Sequence, residues 1–120
     1  MTGDLMALYG HKIVSADAVA RKLGATPRAA QLAMCHGTFD LVHPGHIRHL
    51  LWARQQADLL LVSLTADRHV KKADRRPHVP QEMRALNLAV LDFVDYVVID
   101  DAPTPLANID LIRPDVFVKG

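Results

Sequence analysis

His43 and His46 stand three residues apart around a glycine in the run Gly37-Thr38-Phe39-Asp40-Leu41-Val42-His43-Pro44-Gly45-His46. Two imidazoles at that spacing, beside two glycines and a proline, can serve an anion. Pro44 suits the first position of a helix, where its missing N–H would be unpaired anyway. A helix opening there turns its free N–H groups and positive dipole end toward a bound phosphate. A bare Cα at Gly37 would let the backbone approach a phosphate or base closely. Thr38, Phe39, Asp40 and Gly45 fall in the same turn, with Phe39 suited to the core and Asp40 able to hold the turn or orient a basic side chain. The chemistry expected is nucleotide binding through phosphates.

His49 extends the three-residue spacing, which raises the alternative of a zinc site. Helical zinc pairs sit four residues apart, and no cysteine or carboxylate pair completes a shell here. The protein is therefore expected to supply no metal ligands, and His49 reads as a surface or core-edge residue.

The elements that must position this run follow from periodicity. Leu32–His36 reads as a first strand and 44–56 as the helix that follows it. Leu59–Leu64 is a continuous apolar run, the mark of a parallel strand covered on both faces. A helix is expected over 80–91, a strand over 96–99, a short helix over 106–112 and a last strand over 116–118. Ser15 reads as the N-cap of an earlier helix that Gly24 ends. Strands alternating with helices give an α/β fold, an open doubly wound parallel sheet. In such sheets ligands sit beyond the carboxyl ends of the strands, where the strand order reverses. Residues 1–11 carry no clear period and are expected to form an N-terminal arm, leaving 12–120 as the domain.

The decapeptide resembles the His-x-Gly-His signature of the cytidylyltransferase-like nucleotidyltransferases, a superfamily with a Rossmann-like nucleotidyltransferase fold. Val62-Ser63-Leu64-Thr65-Ala66-Asp67 is similar to its second strand and following aspartate, and Pro80-Gln81-Glu82-Met83-Arg84 to the start of its arginine-bearing helix. The segments 12–15, 94–99, 104–106 and 113–120 are similar to the branch that adenylylates heptose phosphates; the glycerol-3-phosphate cytidylyltransferases are the next resemblance. His36 departs from the heptose branch, which usually carries asparagine there. Family members also continue past the Val-Lys-Gly segment to a Ser/Thr-rich motif, so the chain is expected to be a C-terminally shortened form.

What the resemblance implies is transfer of a nucleoside monophosphate from an NTP to a phosphorylated sugar or polyol, with release of pyrophosphate. It makes His43, His46, Lys71 and Arg84 the catalytic set. Gly37, Thr38, Phe39, Asp40, Gly45, Asp67 and Lys72 would bind the nucleotide, and Lys119 the sugar phosphate. Lys71, Lys72, Arg75 and Arg76 otherwise read as a solvated basic loop. Mg2+ would be held mainly by the triphosphate. The nucleophile is a phosphate oxygen whose second pKa is about 6, so it is ionised at neutral pH and needs no general base. Such sites act by alignment and charge stabilisation. The rival class is a non-catalytic nucleotide-binding or dimerisation module.

Bulk properties narrow the remaining classes. The chain has 120 residues, 22% of them charged, with a formal charge of +1, which gives no electrostatic case for nucleic acid or a membrane surface. No aromatics interleave the basic cluster, as single-strand binding would require. Its single cysteine, Cys35, excludes an internal disulfide and makes a reducing cytoplasm the default. An apolar last strand without a covering helix favours a homodimer.

Overall fold

A computed structural model describes residues 2–24, 27–70 and 79–119. Its elements run α1 (Thr2–Tyr9), α2 (Ala16–Leu23), β1 (Leu32–Gly37), α3 (Pro44–Gln55), β2 (Leu59–Thr65), α4 (Gln81–Ala89), β3 (Tyr96–Asp100), α5 (Leu106–Ile112) and β4 (Val116–Lys119). The strands form one all-parallel sheet in the order β3-β2-β1-β4. From β1 the chain steps outward through β2 to β3, then returns across the sheet to place β4 on the other side of β1. The strand order therefore reverses between β1 and β4, where His36 and Lys119 are Cα partners.

Both faces of the sheet are covered, which explains the uninterrupted apolar strands. On one face Ala33, Cys35, Leu60, Val62, Leu64 and Val97 pack with Leu50 and Ala53 of α3 and with Ala85, Leu88 and Ala89 of α4. On the other, Leu32, Met34, Leu61 and Val98 pack with Val19 of α2 and Ile112 of α5. Burial pushes the Cys35 thiol up to about 11. Ser15 caps α2 by accepting from the Ala18 N–H at 3.1 Å, and Gly24 ends it with φ +68°, a conformation that glycine adopts freely.

The N-terminal residues differ from the expectation of an arm without structure. Residues 2–9 are helical, a short 3-10 turn follows over Gly10–Lys12, and Tyr9 and Ile13 pack against the core. Lys12 Nζ donates to Leu91 O at 3.1 Å, and Val14 N donates to Val97 O at 2.9 Å. The sequence hid this helix because Leu5, Met6 and Leu8 are all exposed, so its apolar residues follow no single face.

At the far end of the sheet Arg28 ties α2 to α5. Its guanidinium donates to Gly24 O, Ile112 O, Arg113 O and the Asp115 carboxylate. Asp115 in turn accepts from the Leu32 N–H at 2.7 Å. That bond, with Arg28 beside it, holds the Asp115 carboxyl below its ordinary value. β1 is thus anchored at its start, and its carboxyl end projects toward the reversal point.

Candidate nucleotide site

The start of α3 is closed by its own histidines. His43 is the N-cap, and its Nδ1 accepts from the Gly45 N–H at 3.0 Å. His46 Nδ1 reaches back to accept from the His43 N–H at 3.3 Å. This is a reciprocal capping box made from two imidazoles in place of the usual hydroxyl and carboxylate. The arrangement fixes the tautomer: each Nδ1 is an acceptor, so in the neutral ring the proton sits on Nε2. His43 thereby turns its Nε2 away from the capped backbone, while the His46 ring also lies within hydrogen-bond reach of the Leu41 backbone. Their centroids lie 3.9 Å apart with a 34° tilt. Burial, then the neighbouring His43, lowers the His46 pKa below its ordinary value, which favours the neutral donor form.

The glycines have internal reasons. A Cβ on Gly45 would stand 2.7 Å from His43 Cε1 and 3.0 Å from its Nδ1, so the ring folds over the helix start only because that position is bare. A Cβ on Gly37 would meet the Phe39 ring at 3.0 Å. The space at Gly37, expected to admit a ligand, is filled by Phe39. That residue adopts φ +54°, an uncommon conformation for a non-glycine, and its buried ring meets His46 edge-on at 5.6 Å. Phe39 is thus both core and the support of His46.

Arg84 sits near the start of α4, in the helix expected to carry it, with its side chain turned inward. The side chain is fully buried, and its guanidinium donates to Val79 O (2.9 Å), Thr38 O (2.9 Å), Thr65 O (2.7 Å) and Asp67 Oδ1 (2.6 Å). It is a hub joining the turn after β1, the end of β2 and the start of α4. It is placed to hold those segments in register; four of its five N–H donors are committed to the protein itself. Asp40 Oδ1 accepts from the Val79 N–H at 2.9 Å, so it holds the same junction. Asp67, bound to Arg84, also donates its backbone N–H to Gln81 Oε1 at 2.9 Å. Thr38 enters through its carbonyl.

A cleft of about 390 Å³ opens over this turn, lined by His36, Gly37, Thr38, Phe39, His43, Gly45, His46 and His49. Seven of the expected residues therefore gather around one loop: six line the cleft, and Asp40 braces it from below. Lys119 lines a second, apolar cleft of about 420 Å³ with His36, Pro105, Leu106, Ile109 and Phe117. Lys71, Lys72, Arg75 and Arg76 lie outside the described residues. Sequence reasoning passed over His49, whose Nε2 is buried in the cleft wall with no hydrogen-bond partner among the described residues. It also missed Ser63 and Thr65, which bind His36 from β2. Alternate positions along a strand were the available signal: 63 and 65 share a face and are the first polar ones after an apolar run. Among the described residues no group of three or more His, Cys, Asp or Glu is disposed to hold a metal ion, and no helix is long and apolar enough to cross a membrane.

The chemical content of the cleft is a set of N–H donors with little negative charge. Pro44 has no N–H, and those of Gly45 and His46 are turned to the His43 side chain, so the donors left to the cleft are those of the imidazoles. Such a set fits a polyanion.

Comparison with known proteins agrees with this arrangement. Residues 34–120 match the cytidylyltransferase-like family. The bifunctional protein HldE of Geotalea uraniireducens is 40% identical over 98% of this chain. That of Campylobacter fetus subsp. fetus is 43% identical over 93% of it. The chain spans about a quarter of those relatives, 26% and 24% of their respective lengths. In three dimensions it matches a lipopolysaccharide core biosynthesis protein from Thermoplasma volcanium at a TM-score of 0.69 and 22% identity, covering 74% of this chain and 73% of that one. The last likeness establishes the shared fold.

Proposed function

Because this chain belongs to the cytidylyltransferase-like family, we propose that the cleft over α3 binds a nucleoside triphosphate and carries out nucleotidyl transfer to a phosphorylated sugar. ATP and a heptose-1-phosphate-like acceptor are the leading pair, by the likeness to bifunctional HldE proteins. One observation carries the reading: the His43–His46 capping box, in which both Nδ1 atoms accept backbone N–H groups and both rings line the cleft.

In the proposed reaction an acceptor phosphate oxygen attacks the α-phosphorus of the NTP. The new P–O bond forms as the bond to the β-phosphate oxygen breaks, and the electron pair leaves with pyrophosphate. No proton is moved, because the acceptor oxygen is already ionised near neutral pH. His43 and His46 donate through Nε2 to the phosphate oxygens and offset the charge that builds on the departing group. Magnesium bound with the triphosphate would supply charge neutralisation there. Arg84, Asp40 and Asp67 act one step back, by fixing the loops that carry the donors. Lys71 or Lys72 would reach the triphosphate from the segment after β2, and Lys119 would face the acceptor.

The test is turnover of ATP and CTP against a panel of sugar-1-phosphates and polyol phosphates, followed by 31P NMR. A nucleotide-sugar and pyrophosphate appearing with ATP and a sugar-1-phosphate supports the reading. Product with CTP and glycerol 3-phosphate alone would replace it by a polyol-phosphate cytidylyltransferase. Tight NTP binding with no product under any pairing would leave a nucleotide-binding module.

A further inference from the structure

His36 occupies the last full position of β1 on the face opposite α3, at the point where the strand order reverses. It is the residue common to the two clefts at the carboxyl edge of the sheet. One is lined by imidazoles and the turn after β1; the other is lined by Pro105, Leu106, Ile109 and Phe117, with Lys119. Both of its ring nitrogens are bound to hydroxyls of the neighbouring strand: Nδ1 to Ser63 Oγ at 2.9 Å and Nε2 to Thr65 Oγ1 at 3.2 Å. Ser63 is itself fully buried. A ring held at both nitrogens cannot swing about its χ angles without losing both bonds. Its remaining accessible surface is the carbon edge and the flat face, which is apolar in character. Burial also lowers the His36 pKa below its ordinary value, so the ring is uncharged near neutral pH.

Resting on the nucleotide reading of the histidine cleft, we propose that His36, locked by Ser63 and Thr65, is a positioning residue for the nucleoside part of the substrate. It is the fixed partition between the phosphate end of a nucleotide at His43 and His46 and its flat end against Pro105, Leu106 and Ile109, with Lys119 of the same cleft left to the acceptor. The hydroxyls of β2 act through it, by holding the ring in one orientation. A locked partition has a particular consequence: it matters to ligands that extend beyond the phosphates and is indifferent to those that do not.

The experiment is calorimetric titration of the full chain with three probes in the presence of magnesium: ATP, CTP and inorganic tripolyphosphate. Thr65→Val removes the Nε2 partner with little change of shape, and Thr65→Ser restores a hydroxyl. Thr65→Val is expected to weaken whichever nucleotide the wild type prefers by about tenfold, as for one misplaced hydrogen-bonded contact. Tripolyphosphate affinity should change by less than about twofold, and Thr65→Ser should recover most of the loss. Thermal melting of each variant confirms that folded protein is compared. Equal loss for nucleotide and tripolyphosphate would reduce Thr65 to a structural role and overturn the proposal, as would no loss for either. Wild-type protein that binds neither polyphosphate would remove the nucleotide reading itself, and this proposal with it. A wild type that binds both, with Thr65→Val unchanged, would leave that reading intact and remove only the role of His36.

Discussion

Gly45→Ala separates the two things the start of α3 does. The backbone of Gly45 does not have positive φ, so alanine is tolerated by the chain itself. Its methyl group, however, would lie 2.7 Å from His43 Cε1, well inside van der Waals contact. The exposed imidazole can swing away, at the cost of the bond from the Gly45 N–H to Nδ1. Loss of an N-cap interaction costs about 1 kcal/mol. Replacing glycine by alanine within a helix returns roughly 0.5–1 kcal/mol. The two nearly cancel, so the melting temperature should move by less than about 5 °C. Activity should not be spared. With the ring displaced, the His43 Nε2–H is no longer at the cleft and the His46 ring loses its neighbour, so turnover should fall by about a hundredfold or more. The assays are pyrophosphate release and thermal denaturation on one preparation. Turnover within about threefold of wild type, on protein of unchanged stability, would refute the claim that the cap positions the donors.

Other perturbations test different links. His43→Ala and His46→Ala should each lower turnover by about a hundredfold with the fold retained, as judged by pyrophosphate release and circular dichroism; unchanged turnover in both removes them from the chemistry. Arg84→Met leaves three part-buried carbonyls and Asp67 without their donor, so denaturant unfolding should show a loss of about 3–5 kcal/mol; a change under about 1 kcal/mol would return Arg84 to a surface or ligand role. His36 and His46 both have lowered pKa values, so the unfolded chain binds more protons between their folded values and about 6.5. Their contribution to stability is therefore complete above about pH 6.5 and is lost as pH falls through the folded values; unfolding free energies that stay flat on the acid side would contradict this. Cys35, raised to about 11 in the core, should resist thiol reagents at neutral pH until the protein is unfolded.

The parts of the fold legible in the sequence were those whose residues speak through local rules. The apolar residues of Leu59–Leu64 announced a strand covered on both faces, and Ser15 and Gly24 marked the ends of α2 by their capping chemistry. The Gly37–His46 run marked the cleft because glycine, proline and histidine at that spacing have few other uses. The N-terminal helix was illegible because its docking rests on Tyr9 and its neighbours, with no amphipathic face to betray it. The partners of Arg84 were hidden for a related reason. An arginine near a helix start reads as a cation for a ligand, and only the folded chain shows the carbonyls of Thr38 and Thr65 converging on it from two other loops. The tautomer of the two histidines was equally out of reach, since it follows from which backbone N–H each Nδ1 accepts.

The central claim is that His43 and His46, with Nδ1 engaged in the cap, turn Nε2 toward the phosphates of a nucleotide. Long-range 1H–15N NMR of the histidine side chains, with and without magnesium ATP, addresses it directly. The account predicts Nδ1 acting as the acceptor in both rings of the free protein, and a shift at both Nε2 atoms when ATP is added. Nδ1-protonated rings in the free protein, or ATP shifts that leave both Nε2 atoms unmoved, would contradict it.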